Sequence, residues 1–79
     1  MTRSGFLRAM EEILGVPART LQEGDSRETV AQWSSLADVQ ISSVIASELG
    51  IEPDSEIIEA ETVGELLRIL EGRGAFPSA

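Results

Sequence analysis

Three apolar stripes at helical spacing, each closed by a glycine, constrain what this chain can fold into. Phe6, Met10, Ile13 and Leu14 share one face of a helix over about 4–14, which Gly15 and Pro17 end. Ala37, Ile41, Val44, Ile45 and Leu49 cluster on one side of a second helix over about 35–49, with Gly50 as its stop. Val63, Leu66, Leu67 and Leu70 stripe a last helix starting at Thr62. There Thr62 and Glu65 have capping-box spacing, Arg68 suits the C-terminal end of the dipole, and Gly72 can close the helix. The "IEPDSEIIEAE" stretch adds a short helix around 55–59, pinned by Ile57 and Ile58. The expected fold is all-α: a small four-helix bundle of three main helices plus a short third helix, with a long loop between helices 1 and 2.

That loop, residues 15–34, is rich in breakers and charges. Leu21, Val30 and Trp33 can anchor it to the core, and Thr20 to Glu23 ("TLQE") has capping-box spacing for a short turn. The chain of 79 residues reads as one domain, 1–79, with a core over about 4–71 and a flexible tail over 72–79.

Composition removes several function classes. There is no cysteine and no histidine, so disulfides, thiolate metal sites and the commonest acid–base and nucleophilic side chains are missing. The chain is therefore expected not to be an enzyme. Its net charge of −8 argues against nucleic acid and against an anionic membrane surface. It favours partners with basic patches. Nine acids and no basic residue lie between Arg27 and Arg68. "EPDSE" lacks the ligand order of a calcium loop. No apolar run approaches the roughly 18 residues of a membrane span, no signal-type apolar segment is present, and a cytoplasmic monomer is expected.

"WSSL", Trp33 to Leu36, opens the second helix. Ser34 and Ser35 read in two ways. Either can be a helix N-cap, its hydroxyl accepting a backbone N–H. Either can be an attachment point, because a phosphodiester there would sit at the positive end of the helix dipole. Leu36, Val39, Ser43 and Ala46 fall on the side away from the core, which leaves a small apolar cluster for contact.

The joint pattern resembles the acyl carrier protein family, including its peptidyl and aryl carrier relatives. "WSSL" is similar to that family's W-D-S-L form. "LGIEPD" follows at the family's distance, and "ETVGELLRIL" resembles its last helix. "FLRAMEEILGVPARTL" resembles its first helix and loop, so the likeness covers residues 6–70. Two positions depart: Ser34 stands where the family has Asp, and Gln32 where it often has Gly. The stretch between Gly50 and Gly64 is also about one residue shorter than in fatty-acid carriers.

The resemblance implies that Ser35 carries 4′-phosphopantetheine, delivered from coenzyme A by a phosphopantetheinyl transferase. It implies an acyl- or aminoacyl-activating (loading) enzyme and downstream synthase or tailoring enzymes as further partners. Ser34 becomes the helix cap. Leu36, Asp38, Val39, Gln40, Ser43 and Glu48 become the partner contacts. The second helix has few acids, with Gln40, Ser43 and Ser47 on its outer face, which points to a specialised polyketide, nonribosomal peptide or modified-acid pathway. Ser42, at the edge of the core face, either bonds back to the Asp38 carbonyl or shapes a small cavity for cargo. The competing class is a carrier-like helical adaptor that is never modified and docks partners through the same helix.

Overall fold

The computed structural model describes residues 1–76, and among them the chain forms four α-helices and no strand. They are α1 (Arg3–Leu14), α2 (Ser35–Glu48), α3 (Ser55–Ile58) and α4 (Val63–Gly72). The all-α expectation holds, including the short third helix and the long first loop.

Local chemistry explains most helix ends. Thr2 caps α1 by accepting the Gly5 N–H at 3.0 Å, so the helix starts at Arg3, one residue before the expected start. Gly15 ends it in the left-handed conformation, φ 70°, and its N–H reaches the carbonyls of Glu11 and Glu12. Asp54 caps α3, and Thr62 caps α4 by accepting the Glu65 N–H at 3.1 Å. The reciprocal half of the expected box is not formed: no bond from the Glu65 side chain back to Thr62 is present among the described residues. Arg68 precedes the last turn of α4, which carries no basic residue. Gly74, φ 73°, takes the left-handed position expected of Gly72.

Phe6, Met10 and Leu14 from α1, Ile45 from α2, and Val63, Leu67 and Leu70 from α4 form the fully buried centre. Each such side chain contributes roughly 1.5–3 kcal/mol of burial energy, which makes this layer the main source of stability. Leu21, Val30 and Trp33 are buried and fasten the long loop over it. Ser26 and Thr62 make an isolated antiparallel bridge, and the amides of Val63 and Gly64 donate to the carbonyls of Asp25 and Glu23 at 3.0 and 2.9 Å. Gly64 permits that approach, since a Cβ there would lie 3.0 Å from the Glu23 Cβ.

Three expectations are corrected. Ile57 alone pins α3; Ile58 is 49% exposed, because a single turn turns only one of two adjacent side chains inward. "TLQE" makes no capping box: no helix follows it, and the Thr20 hydroxyl donates to the Pro17 carbonyl instead. Ala75 and Phe76, within the expected tail, pack back onto the bundle. Phe76 packs on Phe6 with ring centroids 5.8 Å apart, and the Ala75 amide donates to the Leu70 carbonyl at 3.0 Å. The rest of the expected tail, 77–79, lies outside the described residues.

Candidate functional site

Ser35 is the first residue of α2 and is exposed. Ser34 precedes it in extended backbone, φ −104° and ψ −178°, in the N-cap position. Its carbonyl accepts the Asp38 N–H at 3.0 Å, which starts the helical ladder. Its hydroxyl makes no cap bond, contrary to the role expected of it. The first amides of α2 therefore keep no side-chain partner, and a helix start of that kind favours an anionic oxygen.

Leu36 and Val39, at 68% and 66% exposure, stand beside Ser35 on the outer face. Ser43 and Glu48 are exposed further along, and the Ser47 hydroxyl donates to the Ser43 carbonyl. Gln40 is exposed as well. With Val44 it borders an open groove of about 400 Å³ against Ala9, Glu12 and Ile13 of α1. These five residues keep the accessibility the contact role needs.

Asp38 does not. Both of its carboxylate oxygens accept from Arg27 Nη1, at 2.7 and 2.6 Å, and Oδ1 also accepts the Trp33 indole N–H at 3.0 Å. The guanidinium lies 4.9 Å above the Trp33 ring, and its other arm donates to the carbonyls of Ile58 and Ala60 at 3.2 and 3.3 Å. Asp38 is thus a structural anchor rather than a spare charge for a partner. Arg27 was not legible as a site residue. Its partners lie 11, 31 and 33 positions away, and no local pattern joins them.

Ser42 makes neither the expected back-bond to Asp38 nor any other side-chain hydrogen bond among the described residues. It lines a nearly closed cavity of about 10 Å³ between α2 and α3, with Ile41, Ile45, Ile57 and Leu66. That is about the space of one water molecule and too little for a cargo.

Charges around the site are sorted by arginine. Arg73 clamps Asp54 at 2.7 Å and Glu56 at 2.8 Å at the start of α3. That contact, followed by the Ile57 amide, holds the Asp54 carboxyl below its ordinary range. Glu28, Glu59 and Glu61 rim an open groove of about 520 Å³ beside Arg27 and carry the local negative charge. A second unforeseen carboxylate is Glu11, only 4% exposed, whose Oε2 accepts the amides of Thr20 and Leu21 at 3.0 Å each. Those bonds, led by the Leu21 amide and opposed by burial, push its pKa down. No group of residues suited to holding a metal ion is found among the described residues, and no described helix is long and apolar enough to cross a membrane.

Comparison with protein-family models, with curated proteins and with solved structures gives no match.

Proposed function

We propose that the chain is a non-catalytic acyl carrier whose Ser35 bears a 4′-phosphopantetheine arm and presents an acyl, aminoacyl or related acid to partner enzymes. The observation that carries this reading is the start of α2. An exposed serine hydroxyl sits on uncapped helix amides, with two exposed apolar side chains beside it. That setting fits a phosphodiester: amides with no side-chain cap can receive its oxygens, and the helix dipole favours its charge. When bound, the arm supplies the terminal thiol that this cysteine-free chain lacks, and a cargo acid is held on it as a thioester.

Ser35 has one chemical step to perform. Its Oγ gives up its proton to the transferase and forms the new bond to the β-phosphorus of coenzyme A. The bond from that phosphorus to adenosine 3′,5′-bisphosphate breaks. Thereafter Leu36 and Val39 supply apolar contact, and α2 fixes the attachment point on a rigid element. A tethered substrate gains effective concentration at each partner in turn. The neutral outer face of α2 supports a specialised biosynthetic pathway over fatty-acid synthesis. Efficient elongation by fatty-acid synthase enzymes would contradict that narrower assignment.

The test is mass spectrometry of the wild type, Ser35→Ala and Ser34→Ala after incubation with coenzyme A and a broad-specificity transferase. One phosphopantetheine increment is expected on the wild type and on Ser34→Ala, and none on Ser35→Ala. An increment that survives in Ser35→Ala moves the attachment to Ser34. No increment with any transferase, cognate enzymes included, favours the unmodified adaptor.

A further inference from the structure

α1, α3 and α4 begin in one way. The side chains of Thr2, Asp54 and Thr62 each accept the amide three residues on, from Gly5, Ile57 and Glu65, at 3.0, 3.2 and 3.1 Å. α2 begins differently. Its corresponding amide belongs to Ala37, and neither the Ser34 hydroxyl nor any other acceptor among the described residues takes it. A first turn without a cap opens readily, and Ser35 is the first residue of this one.

A side-chain brace stands where the cap is missing. Asp38 lies in the first turn of α2, and its Oδ1 accepts the Trp33 indole N–H at 3.0 Å. Trp33 is buried, and its own amide donates to the Val30 carbonyl at 3.0 Å. Arg27 Nη1 donates to both Asp38 oxygens at 2.7 and 2.6 Å, and the guanidinium rests 4.9 Å from the Trp33 ring centre. The bond from Trp33 to Asp38 spans Ser34, Ser35, Leu36 and Ala37. One end of that span is seated in the core and the other is held by a charged pair. Ser35 and Asp38 are three residues apart on the helix, so their side chains are neighbours, and a bond that orients one orients the other.

We infer that Asp38 and Trp33 are positioning residues for the modification of Ser35: their bond, backed by Arg27, holds the first turn of α2 in place without using any of its amides. A side-chain cap would steady the same turn only by occupying an amide such as that of Ala37. The brace steadies it from outside the helix, so the hydroxyl is held while the amides stay open to the oxygens of a phosphodiester. The part played in modification rests on the carrier function proposed above; the brace itself does not.

Three variants test this. Trp33→Phe keeps a buried aromatic ring and deletes the N–H. Asp38→Ala deletes the whole acceptor, and Asp38→Asn retains one. On the unmodified protein, the amide at position 38, which donates to the Ser34 carbonyl, reports opening of the first turn by hydrogen exchange. It is expected to exchange about tenfold faster in Asp38→Ala and about threefold faster in Trp33→Phe, while the amides of α1 and α4 keep their rates. Transfer from coenzyme A by a broad-specificity transferase is then measured at a temperature where circular dichroism shows every variant folded. The expected kcat falls about tenfold in Asp38→Ala and about threefold in Trp33→Phe, with KM for the carrier unchanged, and Asp38→Asn regains most of the loss. Unchanged exchange at position 38, or equal acceleration in all helices, overturns the brace. A raised KM at constant kcat makes Asp38 a docking residue instead, and unchanged kinetics beside faster exchange overturns the positioning role. If the wild type accepts no arm from any transferase, the carrier function and the positioning role fall together, while hydrogen exchange still decides the brace.

Discussion

Replacing Asp38 by alanine removes three hydrogen bonds at once: two from Arg27 and one from the Trp33 indole. The losses differ in kind. Trp33 is 4% exposed, so its N–H loses its side-chain acceptor at a largely buried position, at a cost of about 1–3 kcal/mol. The Arg27 and Asp38 side chains are each about 30% exposed, so water partly re-solvates the guanidinium, and this ion pair contributes nearer 1 kcal/mol. The expected sum is roughly 2–4 kcal/mol for Asp38→Ala. Asparagine keeps an acceptor for the indole, so Asp38→Asn is expected to cost only about 1 kcal/mol. A chain of 79 residues has a total stability of about 4–12 kcal/mol, so the alanine variant loses a large share. At roughly 6 °C per kcal/mol for a domain of this size, Asp38→Ala melts about 12–24 °C lower. Urea unfolding followed in parallel by far-ultraviolet circular dichroism and by fluorescence of Trp33, the sole tryptophan, measures both variants. Equal costs for Ala and Asn, or a cost below about 1 kcal/mol for Ala, would refute the assignment of Asp38 as an anchor.

Glu11→Gln is expected to lower stability by about 1–3 kcal/mol at pH 7, since neutral acceptors hold the Thr20 and Leu21 amides less strongly. Because the folded pKa of Glu11 lies below its unfolded value, the carboxylate stabilises above about pH 4.3 and that gain fades as pH falls further. The gap between wild type and Glu11→Gln in urea midpoints should accordingly narrow toward pH 3, and a constant gap would count against it. Ser34→Ala is expected to change stability by less than about 0.5 kcal/mol, because its hydroxyl caps nothing, whereas Thr62→Ala loses a working cap at about 1 kcal/mol. Thermal melts of the pair decide this, and a Ser34 cost equal to that of Thr62 would restore the cap. Leu36→Asp should fold with wild-type stability and yet slow modification of Ser35 by about tenfold, while Glu48→Gln leaves the rate unchanged. Single-turnover transfer from coenzyme A reads both, and a larger effect at Glu48 would relocate the docking face.

The parts of this fold that the sequence exposes are the parts that follow a period. α1, α2 and α4 repeat apolar residues at helical spacing and meet glycine at or near their ends, so element type and buried face could be read directly. Exposure of Leu36 and Val39 follows from the same wheel, because the apolar sector of α2 is full without them. Contacts across the chain leave no such trace. Arg27 finds Asp38, Ile58 and Ala60 only after the loop has folded over the bundle. Glu11 looks like any helix-surface acid until the Thr20 and Leu21 amides arrive on it. Spacing rules also overstate caps. Thr20 and Ser34 both have the right residue type in the right place, and neither hydroxyl makes the cap bond. A cap needs a helix in the right register and a side chain turned toward it, and only the first is written in local sequence.

The charge of the chain takes a different meaning once its pairs are known. A net −8 suggests an acidic recognition surface everywhere. Yet Arg27 occupies Asp38, Arg73 occupies Asp54 and Glu56, and Arg3 occupies Glu23 and Glu71. Along the outer face of α2 the next carboxylate after Asp38 is Glu48. It lies thirteen residues beyond Ser35, about 20 Å at 1.5 Å per residue. That is about two Debye lengths at 0.1 M salt, so Glu48 barely acts on chemistry at the serine. Glu28, Glu59 and Glu61, on the groove beside Arg27, make no ion pair among the described residues. A basic partner would therefore be steered toward the loop and α3 side of Ser35, while Leu36 and Val39 meet it across a neutral helix face. On the carrier reading, charge would orient such a partner from one flank and apolar contact would seat it on the other. The guanidinium that divides these two flanks also donates to the carbonyls of Ile58 and Ala60.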